Sequence, residues 1–228
     1  MNILGFGDSF IMPCTEDYAY PNLIAKHFGC PVTTFGHAGS GTWDAYFQFK
    51  ETNTKLDADV VIFAWSGSNR LYNPDVRNIC VSSDQLPHET DVEIWKAVHQ
   101  YYKYLHNYKK ADQEFECFFY WFDNWLLETY PNTKFIHMWS FPKGADGEYY
   151  STIKSNPNGL DYYHRWKNSV EIRPTLLHFS MLDGWPENNN TGIDTRLHHM
   201  TPPIHALLAE ILIRAIENYV PGKIFGLE

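Results

Sequence analysis

The residues with the most chemical potential lie at opposite ends of the chain. Near the start, Gly7-Asp8-Ser9 follows directly on the apolar run from Asn2 to Phe6. A hydroxyl held on a turn behind a strand can attack a carbonyl if a base takes its proton and donors meet the oxyanion. Near the other end, Asp194-Thr-Arg-Leu-His-His-Met-Thr-Pro-Pro-Ile-His205 offers two imidazoles, His198 and His199, either of which could be that base. Between them lie Gly36-His-Ala-Gly39-Ser-Gly41 and Gly67-Ser-Asn69-Arg70. A glycine lets an oxygen approach the backbone N–H closely, and an asparagine carries an amide donor. Together these groups would suffice for ester chemistry at Ser9 without a metal or a cofactor.

Taken singly, each stretch reads as an ordinary turn. Their order along the chain is more specific. Gly7-Asp8-Ser9-Phe10 after the first strand, a glycine turn after the second, Gly67-Ser-Asn69 after the third and a histidine before the last helix resemble the SGNH (GDSL-type) hydrolase family. The resemblance spans nearly the whole chain and implies a three-layer α/β/α, flavodoxin-like fold that cleaves esters. It makes Ser9 the nucleophile, with its own N–H, the Gly39 N–H and the Asn69 amide as the oxyanion hole. Gly39 is preferred to Gly41 because Gly36-x-x-Gly39 matches the family spacing. His199 is preferred to His198 because His205 follows it by the six positions usual in the family.

Two positions depart from the family pattern. Arg196 stands three residues before His199, where an aspartate is usual, which leaves Asp194, Asp183 or a backbone carbonyl to orient the imidazole. Arg70 stands where another aspartate is usual and is read as outside the catalytic set. These departures motivate an alternative, a non-catalytic binding or structural protein that keeps the fold. The form Asp194-x-Arg196-x-x-His199-Met200, followed by His205, also resembles members from tailed phages, for which a virion-associated protein is one expectation.

The elements that must carry these residues follow from hydrophobic pattern. Short apolar runs at Asn2 to Phe6, Pro31 to Phe35, Asp59 to Trp65 and Lys134 to Trp139 read as strands, with Thr175 to Phe179 as a shorter fifth. Helices are expected from Tyr20 to Phe28, closed by Gly29, and from about Trp43 to Lys50. One long helix or two should cover Asp91 to about Tyr130. A last helix is capped by Thr201, with Pro202 in its first position. Strands alternating with helices imply a parallel sheet of about five strands covered on both faces, with function beyond the strands' carboxyl ends. The expected organisation is a single domain, 1–228, with insertions at about 71–90 and 142–174.

Composition narrows the partners. A formal net charge of −9 repels phosphate backbones and anionic membrane surfaces, so neither nucleic acid nor membrane is expected. No apolar stretch is long enough to span a bilayer and no leader pattern precedes Ser9, so a cytoplasmic protein, released at most by lysis, is expected. The cysteines, Cys14, Cys30, Cys80 and Cys117, are widely spaced and read as reduced thiols, two of them in the core. His37, His137, His164 and His178 are too scattered for a metal site, and Gly5-Phe-Gly7 lacks the third glycine of a dinucleotide fingerprint. With fifteen Tyr, eight Trp and fifteen Phe there are rings enough to line a groove as well as a core. That excess suits a small ester or acylated carbohydrate as substrate.

Overall fold

The computed structural model describes residues 1–73, 92–143, 161–185, 188 and 194–227. Its centre is a six-stranded sheet, β1 (Ile3–Gly7), β2 (Val32–Thr34), β3 (Val60–Trp65), β4 (Lys134–Trp139), β5 (Val170–Arg173) and β6 (Ile224–Gly226). The order is β2-β1-β3-β4-β5-β6 and every pairing is parallel. The first five strands follow the flavodoxin order, in which ligands bind outside the carboxyl ends near β1.

Alternation along the strands divides the core in two. Ile3, Val60, Ile62, Ile136 and Met138 point to one face, where they meet Ile24 of α1 (Tyr20–Phe28) and Leu208, Ile211 and Leu212 of the last helix. Leu4, Phe6, Val61, Phe63 and Trp65 point to the other, against Phe49 of α2 (Thr42–Leu56) and Phe119 and Phe122 of α4 (Tyr108–Thr129). Helix α3 (Val92–Tyr104) precedes α4, so the aromatic stretch forms two helices. Each fully buried ring or branched side chain contributes about 1.5–3 kcal/mol, which makes the two-sided burial of β3 a large share of the sheet's stability.

Local signals account for the ends. Gly29 closes α1 in the left-handed conformation, its N–H bonded to the Ala25 carbonyl. The last helix, α6 (Pro202–Glu217), begins with two prolines behind Thr201.

Several expectations need correction. Thr175 to Phe179 is not a strand: Thr175 caps a short helix, α5 (Leu176–Met181), accepting a bond from the His178 N–H. The fifth strand is Val170–Arg173, inside the segment expected to be an insertion. It was obscured by its charges. Glu171 is buried but accepts bonds from Arg173 Nε at 2.7 Å and Trp139 Nε1 at 3.0 Å. A sixth strand extends the sheet beyond the expected five. Helix α2 runs on to Leu56. Cys14 and Cys30 are only half-buried, Cys30 packing against the edge of the core, and Cys117 is exposed, so none of the described cysteines is fully buried. Cys80 and most of the expected 71–90 insertion lie outside the described residues. No helix among the described residues is long and apolar enough to cross a membrane.

Candidate active site

Ser9 stands at the carboxyl end of β1, in a 3-10 turn over Ser9–Ile11. Asp8 caps that turn, its Oδ1 accepting from the Phe10 N–H at 3.1 Å and from Ser140 Oγ at 3.0 Å. Burial pushes the Asp8 pKa up, and the Arg70 guanidinium, 3.6 Å from Oδ2, acts against that shift. Asp8 thus ties the Ser9 turn to the ends of β3 and β4. Sequence reasoning gave it no role beyond the turn. Gly7 lets the turn begin where it does: at a φ of 152°, its Cα lies so near Ala64 on β3 that a side chain there would strike the Ala64 carbonyl.

The C-terminal loop returns to the same edge. In the turn Leu197–His199, both His198 and His199 adopt positive φ, 48° and 62°, which is uncommon outside glycine. The result separates the two imidazoles. His198 turns inward, its Nε2 2.8 Å from the Met12 carbonyl, and burial lowers its pKa to about 4. His199 turns toward β1, its Nε2 2.8 Å from Ser9 Oγ, and packs on the Phe10 ring. His205 braces the loop from below, with one ring nitrogen on the Leu197 carbonyl and the other on the Tyr20 N–H.

The far side of His199 faces Asp194, with Nδ1 3.4 Å from Oδ2. Asp194 is gripped by Arg196 through Nε at 2.9 Å, Nη2 at 2.8 Å and the backbone N–H at 3.1 Å. Burial disfavours the Asp194 carboxylate, but these Arg196 bonds outweigh it and hold its pKa below the usual carboxylate range. The guanidinium also donates to Asp183 Oδ1 at 2.7 Å and the Ser180 carbonyl at 2.9 Å, and lies over the Trp185 ring. Asp183 therefore meets Arg196. The arginine at the departing position anchors the acid two residues before it.

Ser9, His199 and Asp194 line one cavity of about 210 Å³, with Phe10, Phe141, Leu177 and Trp185 as its apolar walls. Arg70, read from the sequence as outside the catalytic set, also lies on that wall. Its Nη1 donates to the Ser40 carbonyl at 3.0 Å and its guanidinium covers the Phe141 ring. Gly39 and Asn69 stand off that wall, in the turns after β2 and β3, the two strands flanking β1. Gly39 has a φ of 72°, and its turn is stitched to β1 by Ser40 Oγ, which donates to the Gly7 carbonyl at 2.7 Å. The Asn69 carbonyl accepts from the Tyr102 hydroxyl at 2.6 Å. Among the described residues, no three His, Cys, Asp or Glu side chains gather where they could hold a metal ion.

No protein-family model matches the chain and no curated protein matches it. Solved structures do. An acetyl xylan esterase, AlAXEase, is similar over 96% of this chain and 100% of its own, at 14% identity and a TM-score of 0.46. A variant of Axe2, an acetyl-xylooligosaccharide esterase from Geobacillus Stearmophilus, covers 94% of this chain and 93% of its own, at 14% identity and a TM-score of 0.49. LAE5, an alpha/beta hydrolase enzyme from the metagenome of Lake Arreo, Spain, covers 95% and 94%, at 11% identity and a TM-score of 0.47. Likeness this distant is silent on chemistry.

Proposed function

We propose that this chain is a serine ester hydrolase of the SGNH (GDSL) type. The observation that carries the reading is the line of three groups in one cavity: Ser9 Oγ, the His199 ring bridging at 2.8 Å, and Asp194 at 3.4 Å on the opposite ring nitrogen. In this reading His199 Nε2 takes the Ser9 proton as Oγ bonds to the ester carbonyl carbon. The carbonyl oxygen becomes the oxyanion and is held by the Ser9 and Gly39 N–H groups and the Asn69 amide. Collapse of the intermediate breaks the bond to the alkoxy oxygen, which leaves as the alcohol with the proton from His199. Water then gives its proton to His199 and attacks the acyl carbon, the bond to Ser9 Oγ breaks, and His199 returns the proton to Oγ as the acid leaves. Asp194 holds the ring in the tautomer with the proton on Nδ1 and stabilises the imidazolium.

The binding-protein alternative drew its weight from Arg196 and Arg70, and the part owed to Arg196 is reduced because Arg196 pairs with Asp194 and leaves the imidazole facing the hydroxyl. The cavity beside Ser9 is small, with Phe10, Phe141, Leu177 and Trp185 on its walls, which suits a short acyl group such as acetyl. The aromatic excess suits a carbohydrate as the alcohol half. Incubation with p-nitrophenyl acetate, with Ser9→Ala as control, tests the reading. Turnover lost in the variant supports it, and equal turnover in both removes Ser9 from the mechanism.

A further inference from the structure

A second, larger cavity of about 510 Å³ adjoins the first, and Arg70 lies on the wall of both. Its volume falls within the roughly 300–1,000 Å³ usual for small-molecule sites. It is built from α2, the segment after β3, α3 and α4. Trp43, Phe47 and Tyr72 are partly exposed along it, with Phe47 6.1 Å from the Trp43 ring and 5.0 Å from the Tyr72 ring. Polar groups sit among the rings. The Glu114 carboxylate can accept, the Arg70 guanidinium can donate, and His106 Nε2 is buried with no hydrogen-bond partner among the described residues.

We infer that this cavity is the subsite for the alcohol half of the substrate and that it takes a neutral sugar ring. The inference rests on the hydrolase reading of the Ser9 cavity and adds to it the place where the sugar sits and the residues that select it. A pyranose presents apolar C–H faces and a rim of hydroxyls, matching exposed ring faces interleaved with a carboxylate, a guanidinium and an imidazole. An alkyl chain would cover the same rings but leave the buried His106 Nε2 without a partner, which is costly. A nucleotide or other polyanion would meet Glu114 in a chain of net charge −9. Arg70, on the wall of both, sets the two cavities side by side, the arrangement an ester needs to seat its ring in one and its acyl group beside Ser9 in the other.

The test measures kcat/KM of the purified full chain on a methyl mono-O-acetyl xylopyranoside, p-nitrophenyl acetate and p-nitrophenyl octanoate. The native protein should prefer the sugar acetate to the octanoate. Trp43→Ala and Tyr72→Ala should each lower the ratio of sugar acetate to p-nitrophenyl acetate activity about tenfold, and Trp43→Phe should restore most of it. An unchanged ratio in both alanine variants overturns the inference. So does a preference for octanoate that the same variants abolish, which would make the cavity an acyl-chain site. Should no ester be turned over, the hydrolase reading fails separately, and calorimetric titration with methyl xylopyranoside decides the subsite. Saturable binding weakened about tenfold by Trp43→Ala would uphold it, and absence of saturable binding would overturn it.

Discussion

His199 Nδ1 stands 3.4 Å from Asp194 Oδ2, although only four residues separate them along the chain. Two consecutive left-handed residues make this possible, because they fold the loop back so that the ring presents opposite edges to Asp194 and Ser9. Such backbone strain costs of order 1–3 kcal/mol per residue. It persists here because His205, Met12 and Arg196 fix the loop from three sides.

Arg196 should matter through Asp194. Arg196→Ala is expected to lower kcat about tenfold with little change in KM, and Asp194→Asn about a hundredfold, as steady-state kinetics would show. The pair also stabilises the fold. Because the folded Asp194 pKa is depressed, that contribution is full above the ordinary carboxylate value and is lost as pH falls through the lower folded value. Denaturant titration at neutral pH should therefore find Arg196→Ala about 2 kcal/mol less stable, with the gap closing in strong acid. A gap independent of pH would contradict this.

Asn69→Ala should reduce kcat by about 10²–10³-fold while changing KM little, since an oxyanion donor acts on the transition state. A change confined to KM would place the amide in ground-state binding instead.

His198 makes the protein sensitive to mild acid. Its pKa is lowered by burial to about 4 from the ordinary 6.5, so the unfolded chain binds the proton first. Stability from this group is fully present above the ordinary value and is lost as pH falls through about 4. Native protein is expected to lose on the order of 1–3 kcal/mol between pH 7 and pH 4 from this source, and His198→Asn to lose less across the same interval, both read by urea titration.

Gly7→Ala should destabilise the fold by about 3 kcal/mol or more, because the added methyl would push β1 away from the Ala64 carbonyl just before Ser9. A melting temperature within a degree or two of native would refute the close packing of β1 on β3 at this point.

The parts of the fold legible in the sequence are those where composition and environment agree. Strand β3 is a continuous apolar run because both sheet faces are covered, β1 and β4 are mostly apolar for the same reason, and Gly29 and Pro202 mark helix ends by their backbone preferences. Strand β5 was hidden because Glu171 and Arg173 neutralise each other inside it, a pairing visible only in three dimensions. Thr175-Leu-Leu-His-Phe has a strand's composition, yet the Thr175 cap turns it into a helix. At the site, the spacing from His199 to His205 separated the tandem histidines, and the structure turns one toward Ser9 and the other toward Met12. No sequence signal announced the left-handed turn, so sequence could not rank Asp194, Asp183 and a backbone carbonyl; in the structure Asp194 faces the ring and Asp183 meets Arg196. The Asp8 to Arg70 pair joins residues far apart in the chain and likewise left no local trace.

The most direct measurement is covalent labelling with a fluorophosphonate, followed by intact mass and peptide mapping. One adduct is expected on Ser9, absent from Ser9→Ala and formed at least about a hundredfold more slowly in His199→Ala. An unreactive native protein, or labelling that continues undiminished in Ser9→Ala, would contradict it.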